Sequence, residues 1–332
     1  MHIPENYLSP ATCAVLTVAV APVLAVAVKK VTAELPKDQL PMLGIGAACA
    51  FLLMMFNVPL PGGTTGHAVG GTLIAILLGP YAAFLSVAVA LALQALLFGD
   101  GGVLSLGANI FNMAFVLPFA GYFIYKFIKD HVSSDKGEYI GAALGSYIGI
   151  NAAALIAAIE FGIQPLLFSN AAGQALYSPY PLQVSIPAML IPHLLVAGVV
   201  EALFSVCIFS FIRKVSPGSI YAGAKKRATA VYGMLAALIV FVPLGLLAAG
   251  TAWGEWGTDE IASVVEGGGA LGYVPQGMLD GFSFEAVMPD YSIAGLPEAA
   301  GYILSAIFGV ALSIILFRLV SSLIKERKPG NA

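Results

Sequence analysis

The sequence is poor in charge. Only 10% of its 332 residues are Asp, Glu, Lys or Arg, 59% are hydrophobic, and the mean hydropathy is +0.91. A water-soluble globule carries about 25% charged residues, so that class is excluded and an integral membrane protein is implied. The ten-residue alternation of an outer-membrane barrel is also missing, which leaves helices as the spanning element. There is no G-x-x-x-x-G-K-[ST] loop with which to hold a nucleotide, no H-E-x-x-H helix and no G-x-S-x-G elbow. These gaps argue against a protease or hydrolase, and indeed against an enzyme. If a ligand moves uphill, the energy has to come from a partner or a coupled ion. Three cysteines, Cys13, Cys49 and Cys207, all fall inside apolar runs, where they read as small buried hydrophobes without redox chemistry.

What is present is a succession of apolar runs, most of them close to the ~20 residues that a helix needs to cross ~30 Å of hydrocarbon. They cover 9–28, 40–56, 66–78, 81–98, 103–125, 139–159, 186–212, 228–249 and 299–323. The run at 66–78 is only 13 residues long and stops at Gly79-Pro80. So short a helix is tolerated where it lines a protein-enclosed cavity. The first run is not a cleavable signal, because no basic residue precedes it and Lys29-Lys30 follow it. Threading the runs back and forth with the start of the chain outside puts all 15 Lys and Arg in inner loops, as the positive-inside rule demands. The expected fold is therefore all-α: a polytopic transmembrane helical bundle of about nine spans, N-terminus outside and C-terminus inside, in the cell's plasma (inner) membrane and surrounded by lipid.

Composition changes at residue 250. From there to Glu298 the sequence carries eight acidic residues, Glu255, Asp259, Glu260, Glu266, Asp280, Glu285, Asp290 and Glu298, and no basic one. The expected division is 1–249, a transmembrane capture domain, and 250–332, an acidic outer loop closed by one span. Uncompensated negative charge on an outer loop raises the local concentration of cations.

Two histidines fall on the outer side. His2 follows the initiator directly, and its large side chain disfavours removal of Met1. The Met1 amine, the His2 backbone nitrogen and the His2 Nδ1 can close a five- and a six-membered chelate ring on one ion. His67, in Pro61-Gly62-Gly63-Thr64-Thr65-Gly66-His67, supplies a fourth nitrogen. An all-nitrogen tetragonal set suits Ni(II) or Cu(II). The donors bind only without their protons, so capture should release protons and weaken on acidification. Metal candidates are therefore Met1, His2 and His67, and there is no catalytic residue.

The remaining polar residues in apolar surroundings read as supports. Thr64, Thr65, Asn109 and Asn112 are candidates to hold His67 or the N-terminal strand, since a metal-bound imidazole normally donates its other N–H to a fixed acceptor. His193 and Glu201 lie within one run, where ionisable groups are functional by default. Eight residues apart they are offset by ~80°, so one ion does not reach both directly, and a helix-helix tether or a part in gating is expected. His131, beside Lys129 and Asp130, reads as a solvated surface residue.

Met1-His2-Ile3-Pro4 with Tyr7-Leu8-Ser9-Pro10, Gly66-His67-Ala68-Val69-Gly70-Gly71-Thr72-Leu73, Leu96-Leu97-Phe98-Gly99-Asp100-Gly101-Gly102 with Gly107-Ala108-Asn109-Ile110-Phe111-Asn112-Met113, and His193 to Glu201 resemble the CbiM/NikM family. These are substrate-capture subunits of energy-coupling factor importers for cobalt and nickel. The resemblance covers about the first 245 residues and implies metal binding by Met1, His2 and His67. The rest resembles the small companion subunit, CbiN/NikN or a PDGL-type segment, fused in frame. Met288-Pro289-Asp290-Tyr291 and Gly295-Leu296 approach its Pro-Asp-Gly-Leu signature without reproducing it. The resemblance also implies cytoplasmic ATPase subunits and a transmembrane coupling (T) subunit as partners, with Ni2+ or Co2+ as the transported ligand and no permanent cofactor. No nucleic-acid partner is expected. The sequence leaves open cobalt against nickel, a capture subunit for another substrate, and a membrane-bound metal sensor or metalloenzyme.

Overall fold

The structure is a computed structural model that describes residues 1–132, 134–220, 228–266 and 269–323. Seven of its helices are long and apolar enough to cross a membrane: α1 (Pro10–Glu34), α4 (Pro80–Phe98), α5 (Leu106–His131), α6 (Asp135–Leu167), α7 (Leu182–Val215), α8 (Thr229–Leu247) and α9 (Glu298–Leu323). Two others are shorter, α2 (Pro41–Met55, 15 residues) and α3 (Gly71–Leu78, 8 residues). The expected nine spans are thus seven crossing helices and two short ones. At 1.5 Å per residue, α3 is only ~12 Å long. The four residues before it, 67–70, are buried and belong to no helix or strand, and Gly70 turns the chain into α3 through a left-handed backbone. Of the inner-loop cations, Lys225, Lys226, Arg227, Lys325, Arg327 and Lys328 lie outside the described residues.

Why the helices pack so closely is written in α6. Gly137, Gly141, Gly145, Gly149, Ala153 and Ala157 recur every fourth residue and form one small-residue face, all buried. A Cβ added at Gly145 would meet the Gly121 carbonyl of α5 at 2.5 Å. In lipid no hydrophobic force drives helices together, so close backbone approach and the dispersion it permits hold α5 on α6. A glycine plays the same part between α2 and α9: a Cβ at Gly44 would meet the Ser313 carbonyl at 2.9 Å. By contrast α1 is apolar all round and turns Val15 and Val18 outward, as a lipid-facing helix does.

Three helices carry a turn widened to the π form: Gln94–Phe98 in α4, Ile110–Val116 in α5 and His193–Ala197 in α7. Each holds a buried polar side chain, Gln94, Asn112 or His193. Such turns recur at functional sites. Cys13 and Cys49 are buried as expected, but Cys207 is exposed on the outside of α7.

The start of the chain, the ends of α2, α4, α6 and α8, and the starts of α3, α5, α7 and α9 share one end of the bundle. A two-stranded hairpin, β1 (Val58–Leu60) and β2 (Thr64–Gly66), stands there with Pro59 opposite Thr65. The acidic segment between α8 and α9 folds over the same end, burying Trp253, Ile261 and Tyr291.

Candidate metal centre

The first nine residues run into the protein. Met1 is 4% exposed, His2 2% and Ile3 0%. A charged terminus goes under cover only with a counter-charge, and the Met1 amine meets the Glu255 carboxylate at 3.2 Å. Ile3 is clamped on both sides by Asn109, its N–H donating to Oδ1 at 2.8 Å and its carbonyl accepting from Nδ2 at 3.0 Å. That carbonyl also accepts from the Ser105 hydroxyl at 2.6 Å and the Gly102 N–H at 2.9 Å. The Glu5 carboxylate caps the α5 approach by accepting from the Val103 and Leu104 amides. Close approach here needs Gly102, where a Cβ would meet the Glu5 nitrogen at 2.7 Å. Further along, the Tyr7 hydroxyl donates to the Trp256 carbonyl at 2.8 Å and Asn6 exchanges two bonds with Phe282, so the acidic segment grips the same peptide.

His67 lies beside His2, ring centroids 4.9 Å apart and planes tilted by 32°. The two imidazoles expected on one side of the membrane are adjacent. In each ring Nε2 is buried and has no hydrogen-bond partner among the described residues. His67 Nδ1 lies 3.2 Å from the Ala68 carbonyl. Burial, then the positive Met1 amine and His2, holds the His67 imidazole well below the usual histidine range, so at neutral pH its lone pair is free.

His2 Nδ1, the atom assigned to the six-membered chelate ring, is already engaged: it pairs with Asp100 Oδ1 at 2.8 Å. Asp100 in turn accepts from Gln94 Nε2 at 3.1 Å and from the Tyr291 hydroxyl. Burial alone would raise the Asp100 carboxyl. The charge and hydrogen bond of His2, followed by His67 and the Tyr291 hydroxyl, outweigh it and hold the group below the usual carboxylate range. Asp100, Glu255 and Tyr291 were visible in the sequence, in the Gly-rich turn, the acidic stretch and the Pro-Asp segment. Glu255 was expected only as part of the cation-attracting acidic segment and Asp100 and Tyr291 had no role, because only the fold brings residues 100, 255 and 291 to residues 1 and 2.

The supporting candidates separate. Asn109 holds the N-terminal strand, as described. Thr64 and Thr65 do not touch His67: their hydroxyls donate to the Thr251 carbonyl at 3.1 Å and the Gly250 carbonyl at 3.5 Å. Asn112 donates to Glu160 Oε2 at 2.7 Å. Glu160, one residue past the apolar run 139–159, is a buried residue of α6. His193 Nδ1 lies 2.7 Å from the Met189 carbonyl of its own helix. Glu201 ties its helix to a loop, accepting the Val69 amide at 2.7 Å and the Gly70 amide at 3.0 Å. That loop begins at His67. Among the described residues no three His, Cys, Asp or Glu side chains are placed to hold a metal ion.

Comparison with known proteins places these features. A family profile described as "Cobalt uptake substrate-specific transmembrane region" (CbiM) matches residues 2–219, and a PDGLE domain profile matches 227–326. A probable fused nickel transport protein, LarMN, of Lactiplantibacillus plantarum is 52% identical over 321 residues, covering 96% of this chain and 97% of that one. A fused nickel transport protein, NikMN, of Rhodobacter capsulatus is 44% identical over 332 residues, covering 95% of each. A crystal structure of a truncated transition metal transporter superposes with a TM-score of 0.61 at 55% identity, covering 64% of this chain and 99% of that one.

Proposed function

The chain belongs to the CbiM family of cobalt-uptake transmembrane proteins, with a PDGLE domain fused behind it, and from that we propose how this nickel/cobalt transport protein takes hold of its ion. The Met1 amine, the His2 backbone nitrogen, the His2 ring and His67 capture Ni(II) or Co(II) at the outer face of the membrane. The observation that carries this reading is the pair of adjacent, buried imidazoles with partnerless Nε2 atoms, beside a buried chain terminus. Unmet hydrogen-bonding capacity is costly in a protein interior. Two adjacent imidazoles with such unused nitrogens offer donor capacity to an incoming cation.

Closing the six-membered ring through Nδ1 takes that atom away from its contact with Asp100. The amine gives up its proton and with it the ion pair to Glu255. Capture therefore exchanges two internal carboxylate contacts for metal–nitrogen bonds.

This chain carries no nucleotide loop, so inward delivery draws on ATPase subunits through a transmembrane coupling subunit, as in energy-coupling factor importers. Cells that hold this chain with those partners should accumulate metal, and cells lacking the ATPases should not. At the level of the site, titration of the purified protein with Ni(II) should develop the visible band of a low-spin, four-nitrogen complex at one ion per chain. His67→Ala should abolish the band. Unchanged affinity in that variant would remove His67 from the site.

A further inference from the structure

Three carboxylates of the segment from 250 to 298, Glu255, Asp290 and Glu298, line one cavity of about 390 Å3 whose wall also holds His2 and His67. The two imidazoles are 2% and 7% exposed, both residues line that wall, and the Nε2 atom of each is buried without a hydrogen-bond partner among the described residues. No three of these side chains converge closely enough to hold a bare ion. Spread around a cavity, they can instead hold an ion through its own water shell. A larger cavity of about 640 Å3 lies on the other side of the Thr64–Thr251 contact, against Gln183, Trp253 and Trp256. Its wall contains no charged residue, so a dication has no electrostatic reason to collect there.

We propose that the acid-lined cavity is an encounter site, where a hydrated divalent cation is held by Glu255, Asp290 and Glu298 before the chelating nitrogens take it. The proposal rests on the ligand assignment above and adds the route. It gives the fused C-terminal segment a part in loading: that segment supplies the three carboxylates, while the rest of the chain supplies the nitrogens. A cavity lined by one sign of charge raises on-rates by ~10–1000-fold, and salt removes the gain.

The test is stopped-flow mixing of the full chain with Ni(II), following the visible band at low and high ionic strength. In the natural sequence the on-rate should be on the order of 10-fold higher at low salt. Asp290→Asn with Glu298→Gln should slow low-salt binding about 10-fold and flatten the salt dependence. Neither residue touches a proposed ligand, and Asn tolerates the left-handed backbone at position 290 (φ 53) as well as Asp does. Equal rates and equal salt dependence, with the band developing normally, would overturn the encounter site and leave the ligand assignment standing. A band that never develops in the natural sequence would overturn both. A rate raised by Gln183→Glu would place the route in the uncharged cavity and overturn the proposal.

Discussion

Gly70 gives its backbone N–H to both oxygens of the Glu201 carboxylate, at 3.0 and 3.1 Å. The neighbouring Val69 N–H reaches the same carboxylate at 2.7 Å. A glycine is required at this turn, since φ is 74° and a Cβ would meet Leu53 Cδ1 at 2.5 Å. Glu201 thereby anchors the short loop that presents His67, from a helix more than 130 residues away in sequence.

Glu201→Gln keeps the size of the side chain but removes its charge and turns an amide NH2 toward amides that need an acceptor. Support of this kind is worth ~10–100-fold in metal affinity, so Ni(II) affinity should fall by about that much. Calorimetric titration of the variant measures it, and an unchanged Kd would show that His67 is placed by other contacts.

Asn109→Ala removes both hydrogen bonds that clamp Ile3. A buried backbone group left unsatisfied costs ~1–3 kcal/mol, enough to free the first residues from the site for part of the time. Limited aminopeptidase digestion should trim Met1 and His2 faster in the variant, and Ni(II) binding should weaken in parallel. A terminus equally resistant in both proteins would mean that Ser105 and Gly102 suffice.

One residue added before Met1 moves the amine out of its chelate ring and away from Glu255, in a place where Met1 is only 4% exposed. Metal accumulation should fall to background, with membrane insertion unaffected. Normal uptake by a chain whose extension is verified by mass spectrometry would overturn the amine's role.

Acid should destabilise the fold in two separate ranges. His67 has a folded-state pKa below its unfolded ~6.5, so the unfolded chain takes up the proton first and stability falls as pH drops below ~6.5. Asp100 is depressed below its unfolded ~3.9. Its stabilisation is complete above that value and is lost only as pH falls further. Thermal unfolding in detergent between pH 7.5 and 5 should therefore show a decline that His67→Gln reduces. The same slope in both proteins would assign the decline elsewhere.

Legibility differed from element to element. The helical runs could be read because hydrocarbon tolerates only backbone that satisfies its own hydrogen bonds. Crossing length was harder at 40–56 and 66–78, since hydropathy does not report where an apolar segment is helical and where it is not. The glycine repeat of α6 lay open in the sequence at four-residue spacing. Its meaning depended on Gly121 of α5 standing opposite. Asn109 could be suspected as a support from its place at the outer end of a span, whereas Thr64 and Thr65, within three residues of His67 in sequence, donate their hydroxyls to the segment that begins at Gly250 instead.

Hydropathy and charge alone establish a multi-pass helical membrane protein, and the order Met1-His2 establishes that a terminal chelate is chemically available, because both follow from neighbouring residues. The fold decides that His67 stands beside His2, that Asp100 and Glu255 pair with the His2 ring and the Met1 amine, and that the fused segment lines a cavity shared with both histidines. Those relationships join residues up to 254 positions apart. Local sequence carries no information about such distances until the helices have packed.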